Sequence, residues 1–270
     1  MHSSTHSNVT RLLLFLLAAA WLLPFPASAA ERGQDGPNSV YLPLVKSSAR
    51  HSCDISDTTF GTLRIASPPS DIAAHAHPDL NLAIRGYSDT EAPLELVQYD
   101  GPTDDAAPQL EGFFSPARLP DFSRAYHVNN WDWECDCPAG PISEWPVTLL
   151  GMETAPRELL YVPDSGYDIG GGYEVMVLYA SSNRITLKYT VEDNVVIGYT
   201  LHIEDICVDS ELLDLYREMD AAGREHLPAL RAGQPFARAD GQQIKVAVRD
   251  SGAFMDPRTQ KDWWKAHPLP

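Results

Sequence analysis

Three stretches between residues 173 and 204 are dense in β-branched and aromatic side chains: YEVMVLYA (Tyr173–Ala180), ITLKYT (Ile185–Thr190) and VVIGYTLHIE (Val195–Glu204). Short polar breaks separate them, the pattern of an antiparallel meander. Similar runs lie on either side. LNLAIRGY (Leu80–Tyr87) and LELVQY (Leu94–Tyr99) read as a β-hairpin, and YHVNNWDW (Tyr126–Trp133) as an aromatic-rich strand. Glu158–Val162 reads as a strand entering a turn at Pro163-Asp164-Ser165-Gly166, with further strands expected around Ala232–Arg238 and Ile244–Arg249. Only one segment looks helical. Asp209 or Ser210 can cap it, Leu212, Leu215, Tyr216 and Met219 share one face, and Gly223 and Pro228 lie beyond its end. The expected fold is mainly β, in antiparallel sheets with one short inserted helix. An N-terminal β region is expected over 53–144 and a second β domain over 145–265.

The start of the chain reads as an address. His2, His6 and Arg11 precede an apolar run, Leu12–Leu23; Pro24 and Pro26 break it, and Ala27-Ser28-Ala29 offers a small-x-small cleavage pattern. That run is well short of the roughly twenty residues that span a bilayer. The expectation is a signal peptide over 1–29, a polar linker over 30–52, and a secreted mature chain, extracellular or in the cell envelope, with no transmembrane segment.

The chain holds 37 acidic residues against 20 Lys and Arg, a formal charge of −17. Such a surface repels phosphate backbones, so nucleic acid is not expected as a partner. Four cysteines, Cys53, Cys135, Cys137 and Cys207, permit two disulfides in an oxidising compartment. Cys135-Asp136-Cys137 is tight for mutual bonding, so each is expected to reach a distant partner, Cys53 or Cys207. A zinc site from the four thiols is the alternative, although paired C-x-x-C knuckles are missing.

Three pieces of the C-terminal half, in order, resemble the lysostaphin-like zinc endopeptidases of the M23 family. PRELLYVPDSG (Pro156–Gly166) is similar to the stretch that follows the family's first metal ligands. Asn183–Glu204 resembles its G-N-x-I-x-I-x-H … Y-x-H-L hairpin, and AGQPFARADGQQIKVAVRDSGAFMDP (Ala232–Pro257) resembles its ending. The resemblance implies a β-rich domain of the kind that cuts peptide cross-links in bacterial walls, with the helix at 209–222 as an insertion. It also implies a zinc held by H-x-x-x-D and by the second histidine of H-x-H, with one open position. This chain departs from that pattern. Val147 and Gly151 (or Thr148 and Met152, one residue on) fall on the first pair, and Gln243-Ile244-Lys245 falls on H-x-H. Valine and glycine offer no side-chain lone pair, and a protonated lysine only donates. His202 falls where the family places a histidine that assists the attacking water. Its bland reading is a histidine donating to a neighbour in a groove.

Outside the resemblance, His75, His77 and Asp79 (HAHPD) form the most ligand-like cluster, which His127 could join; the bland reading is a polar loop. Trp131 and Trp133 alternate with Asp132 and Glu134 and so can share a face that stacks on sugar or peptide, although core packing is the favoured reading. Trp263-Trp264 is expected to pack the tail against the domain. There is no G-x-S-x-G elbow, and Gly170-Gly171-Gly172 lacks the Lys-Ser/Thr of a phosphate loop. The expectation is a secreted non-catalytic binding or structural protein on a degenerate M23-like domain, recognising cell-envelope peptide or glycan, with no cofactor. The alternatives are an active zinc endopeptidase and an extracellular adaptor using the Trp131/Trp133 face.

Overall fold

Fourteen strands occur among the residues that the computed structural model describes, 53–67 and 71–269. They are β1 (Gly61–Arg64), β2 (Tyr87–Asp89), β3 (Phe122–Asp132), β4 (Cys137–Pro141), β5 (Leu149–Glu153), β6 (Leu159–Tyr161) and β7 (Val175–Ser181). The rest are β8 (Arg184–Lys188), β9 (Tyr199–Glu204), β10 (Ile206–Val208), β11 (His226–Leu230), β12 (Pro235–Ala239), β13 (Gln243–Asp250) and β14 (Ala253–Met255). The expected signal peptide and linker lie outside the described residues.

Eleven strands form one antiparallel sheet in the order β1-β11-β7-β8-β9-β13-β5-β3-β2, with β14 on β13 and β4 on β3. A smaller sheet runs β10-β12-β6. The mainly β, antiparallel expectation holds, and the meander is β7-β8-β9. β13 pairs with β9 along one edge; its other edge is shared, β5 taking Gln243–Val246 and β14 taking Val248–Asp250. β3 pairs with β5, so strands from either side of residue 145 lie in one sheet.

The inserted helix is α1 (Ser210–Ala221), capped by Asp209, whose carboxylate accepts from the amides of Glu211 and Leu212. Leu212, Leu213 and Tyr216 are its buried residues. A second short helix, α2 (Gln260–Trp263), was not expected. It buries Trp263 and Trp264, whose indoles donate to the carbonyls of Asp256 and Pro257, both at 2.9 Å. The expected 80–99 hairpin is corrected. Leu82–Arg85 is a 3-10 turn, because the Arg85 guanidinium folds back to the Pro78 carbonyl at 2.9 Å. Beyond it only Tyr87–Asp89 is strand, and Val97 makes an isolated bridge to Thr259.

Alternate residues of a strand face opposite sides of the sheet. One side carries Ile185, Leu187, Leu201, Ile203, Ile244, Val246 and Val248 into the main core. The other carries Thr186, Lys188, Thr200, His202, Glu204 and Arg249, all buried, beside a small apolar cluster of Leu82, Tyr126, Val128, Ile142, Leu149, Ala247 and Phe254. This second face is where the resemblance places a catalytic groove.

Candidate functional site

Register sets the geometry at the positions expected for metal ligands. The β13–β5 ladder places Lys245 opposite Gly151 and Gln243 opposite Glu153, while β9 places Glu204 opposite Lys245 and His202 opposite Ala247. Gly151, Gln243 and Lys245 therefore do come together. Val147 is buried in the core, as is Met152, and the Thr148 hydroxyl accepts from the Val128 amide at 2.8 Å.

The space beside Gly151 is filled. Ser123 Oγ donates to Gln243 Oε1 at 2.5 Å. A β-carbon on residue 151 would stand 2.6 Å from that oxygen and 2.7 Å from Ser123 Oγ, so a side chain there would have to push the Gln243 amide and the Ser123 hydroxyl aside. The Lys245 ammonium lies 2.7 Å from Asp205 Oδ2 and 5.2 Å from the centre of the Tyr87 ring. Burial works to lower its pKa, but Asp205 and Tyr87 outweigh burial and raise it, so the group stays charged. A cation with no lone pair stands where an imidazole is needed; beside it are a glycine, an amide oxygen already paired, and across the ladder Glu204, whose Oε1 has no partner among the described residues but is a single carboxylate. These residues do not fit a zinc ion.

His202 is almost fully buried. Thr186 Oγ1 donates to the Leu80 carbonyl at 2.6 Å, so the 3.0 Å contact to His202 Nδ1 is made by an Nδ1–H donating to that hydroxyl. Nε2 is then an unprotonated acceptor, and it has no partner among the described residues. Burial first, then the Arg249 charge, holds the imidazole well below its usual pKa, so it is neutral. Phe254 stacks on it with ring centres 6.4 Å apart. The HAHPD segment closes the same face. Asp79 Oδ1 pairs with Arg85 at 2.6 Å and with Arg249 at 2.7 Å. Desolvation alone would raise its pKa, but the two guanidiniums hold it down to about 2. His75 is exposed, and His77 Nδ1 accepts from the Asp79 amide at 3.1 Å. No group of three or more His, Cys, Asp or Glu placed to hold a metal occurs among the described residues.

An open pocket of about 410 Å³ lies at the end of the sheet, where sequence reasoning places nothing. Tyr99 and Trp145 meet edge to face in it, ring centres 4.9 Å apart, and the Tyr99 hydroxyl donates to buried Asp256 at 3.0 Å. Asp100, Asp104, Asp250 and Asp262 line it with a single ammonium, Lys261, which is paired to Asp262 at 2.9 Å. The hydroxyls of Tyr167 (2.6 Å) and Tyr199 (3.1 Å) donate to Asp104 Oδ2. Those hydrogen bonds, Tyr167's first, lower the Asp104 pKa, while the same carboxylate pushes Tyr167 up to about 12. Aromatic edges and faces with a surplus of carboxylates suit an organic cation or a sugar ring. The aromatic and acidic run Tyr99-Asp100 … Asp104-Asp105 is the only local signal of it; its other walls come from distant parts of the chain.

The cysteine expectation is corrected. Cys53 pairs with Cys207, and Cys135 pairs with Cys137, each with Cα atoms 5.3 Å apart. The latter two sit at the tip of the β3–β4 hairpin, where Asp136 adopts φ 53° and turns the two side chains toward each other. The core reading of the tryptophans is corrected as well. Trp133 is 54% exposed and Trp131 half-buried, because β3 outruns β5 and pairs over its last residues with β4 instead. The two indoles turn to different partners, Trp131 donating to Asp136 at 3.2 Å and Trp133 meeting the His77 ring at 5.9 Å. Comparison with known proteins finds no matching family model, no matching curated sequence and no matching solved structure.

Proposed function

We propose that this chain is a secreted, non-catalytic binding protein built on a degenerate M23-like sheet, and that it takes amine-bearing cell-envelope peptide or glycan in the Tyr99–Trp145 pocket. The observation that carries the first part is the Lys245 ammonium, tied to Asp205 at 2.7 Å and facing Gly151 across the ladder. A divalent cation placed there would meet a positive charge, no imidazole, and among the oxygens only the Glu204 carboxylate across the ladder, too few donors for a tetrahedral zinc. The buried, neutral His202 supports the same reading, since an imidazole held away from the surface, with no metal-ligating cluster among the described residues, is poorly placed to activate a wall substrate. The pocket supports the second part. Wall peptides carry free amines, which the carboxylates attract, and sugar rings stack on exposed indole and phenol faces. The apolar leader-like run and the paired cysteines favour secretion.

The test is retention on purified, insoluble peptidoglycan. The mature chain is expected to co-sediment, and the Tyr99→Ala/Trp145→Ala variant to lose at least tenfold in retention while keeping its fold by circular dichroism. Failure of the wild-type chain to co-sediment removes the binding reading. One tightly held zinc per chain, with wall-lytic activity lost on chelation, would replace it by an endopeptidase.

A further inference from the structure

The Cys135–Cys137 disulfide has a place in the fold that a structural staple does not explain. It closes a loop with a sequence separation of 2, whereas Cys53–Cys207 closes one of 154. Restriction of the unfolded chain grows with loop length, so the short bond contributes least. The hairpin it crosses is already held by the β3–β4 ladder, with Asp132 opposite Cys137 and Trp131 opposite Pro138. It is accessible: Cys135 is exposed and Cys137 half-buried, at the tip of the β3–β4 hairpin. The residue between them, Asp136, is held at φ 53°, a left-handed conformation that a non-glycine residue adopts at some strain. Exposed disulfides are among the labile ones. Trp133, exposed beside the bond, offers an apolar contact to an incoming chain.

We propose that Cys135–Cys137 is a thiol–disulfide exchange site that oxidises dithiols on neutral or cationic polypeptide segments. This is independent of the pocket and of the closed sheet face. A substrate thiolate attacks the exposed Cys135 Sγ. The new S–S bond forms as the Cys135–Cys137 bond breaks, and the electron pair leaves on Cys137 Sγ, which takes up a proton. The substrate's second thiolate then attacks its own sulfur in the mixed disulfide and releases Cys135 as a thiol. The substrate dithiol ends as a disulfide and the protein's disulfide as a dithiol, so the protein is itself the oxidant, one equivalent per chain. With all four cysteines paired, the chain has no internal thiol that would compete for the bond. The charge of the substrate follows from the surroundings. Asp132, Glu134 and Asp136 flank the sulfurs and repel anionic thiols.

The experiment treats the full mature chain with graded dithiothreitol, quenches by alkylation and maps each cysteine by mass spectrometry. Cys135–Cys137 is expected to open at a reductant concentration at least tenfold below that needed for Cys53–Cys207, with the fold intact. Cysteamine is expected to open it several-fold faster than mercaptoacetate at low salt, the difference shrinking at high salt. The chain should also oxidise one equivalent of a lysine-bearing dithiol peptide, and the Cys135→Ser/Cys137→Ser variant none. Two results overturn the proposal. One is a bond that persists until the chain unfolds or opens no sooner than Cys53–Cys207; the other is a double-serine variant whose Tm falls steeply, which makes the bond a staple.

Discussion

Lys245 faces Gly151 across the β13–β5 ladder, and its ammonium is turned away to Asp205 Oδ2 at 2.7 Å. That arrangement favours the glycine, because a β-carbon would displace the Gln243 amide and the Ser123 hydroxyl from the volume they occupy. Gly151→Ala is therefore expected to destabilise the fold by about 1 kcal/mol, the low end for overpacking, since the Gln243 amide can swing aside. Gln243→Ala should recover most of that loss. Urea unfolding of the two single variants and the double variant measures the coupling, and strict additivity would show that the contact does not limit residue 151.

Among the described residues Asp79 is the only carboxylate paired with the Arg85 and Arg249 guanidiniums, whose side chains are 7% and 6% exposed. Asp79→Asn leaves both charges buried without an anion, and a loss of about 3–5 kcal/mol is expected, as for breaking a buried pair from one side. Chemical denaturation at pH 7 checks this. A loss below about 1 kcal/mol would place the three groups in solvent.

Stability should fall with acid in two windows. His202 binds its proton less readily folded than unfolded, so below about pH 6.5 the unfolded chain takes up more protons and stability declines. Asp79, held at about 2, contributes stability that is present above its unfolded pKa and lost as pH falls toward 2. Unfolding free energies measured from pH 8 to pH 3 should show both slopes, and His202→Leu should reduce the first, leaving the smaller part that His77, also lowered by burial, contributes, while the second stays.

Helix α1 depends on Asp209 for more than its own cap. Besides the amides of Glu211 and Leu212, the carboxylate accepts from the Ile55 amide at 2.8 Å, which binds the start of the described chain to the helix next to the Cys53–Cys207 bond. Asp209→Ala should cost about 2 kcal/mol, the upper end for an N-cap, since a further donor is orphaned. Thermal unfolding checks it, and Asp209→Asn should recover part of the loss.

Legibility in the sequence follows how local each determinant is. β7, β8, β9 and β13 are legible because β-branched and aromatic runs with short polar breaks carry them. β1 and β11 are not: GTLR is too short to show a period, and Pro228, which suggests a helix end, lies inside β11 opposite Thr62. The grouping of Gln243, Lys245 and Gly151 is legible through strand register. The enclosure of His202 is not, because its cover is the segment from Pro78 to Arg85, whose apolar residues imitate a strand. The Tyr99–Trp145 pocket is hidden for a related reason. Tyr99, Trp145, Tyr199, Asp250 and Lys261 converge only in the folded chain.

In most antiparallel sheets with one wetted side, every second residue of a strand is free to vary. β9 has no such freedom, because all six of its residues, Tyr199 to Glu204, are buried. A scan of substitutions along it should show an unbroken intolerant block in place of a period of two. Loops at the rim are thus expected to accept change freely, while β9 beneath them is locked from both sides.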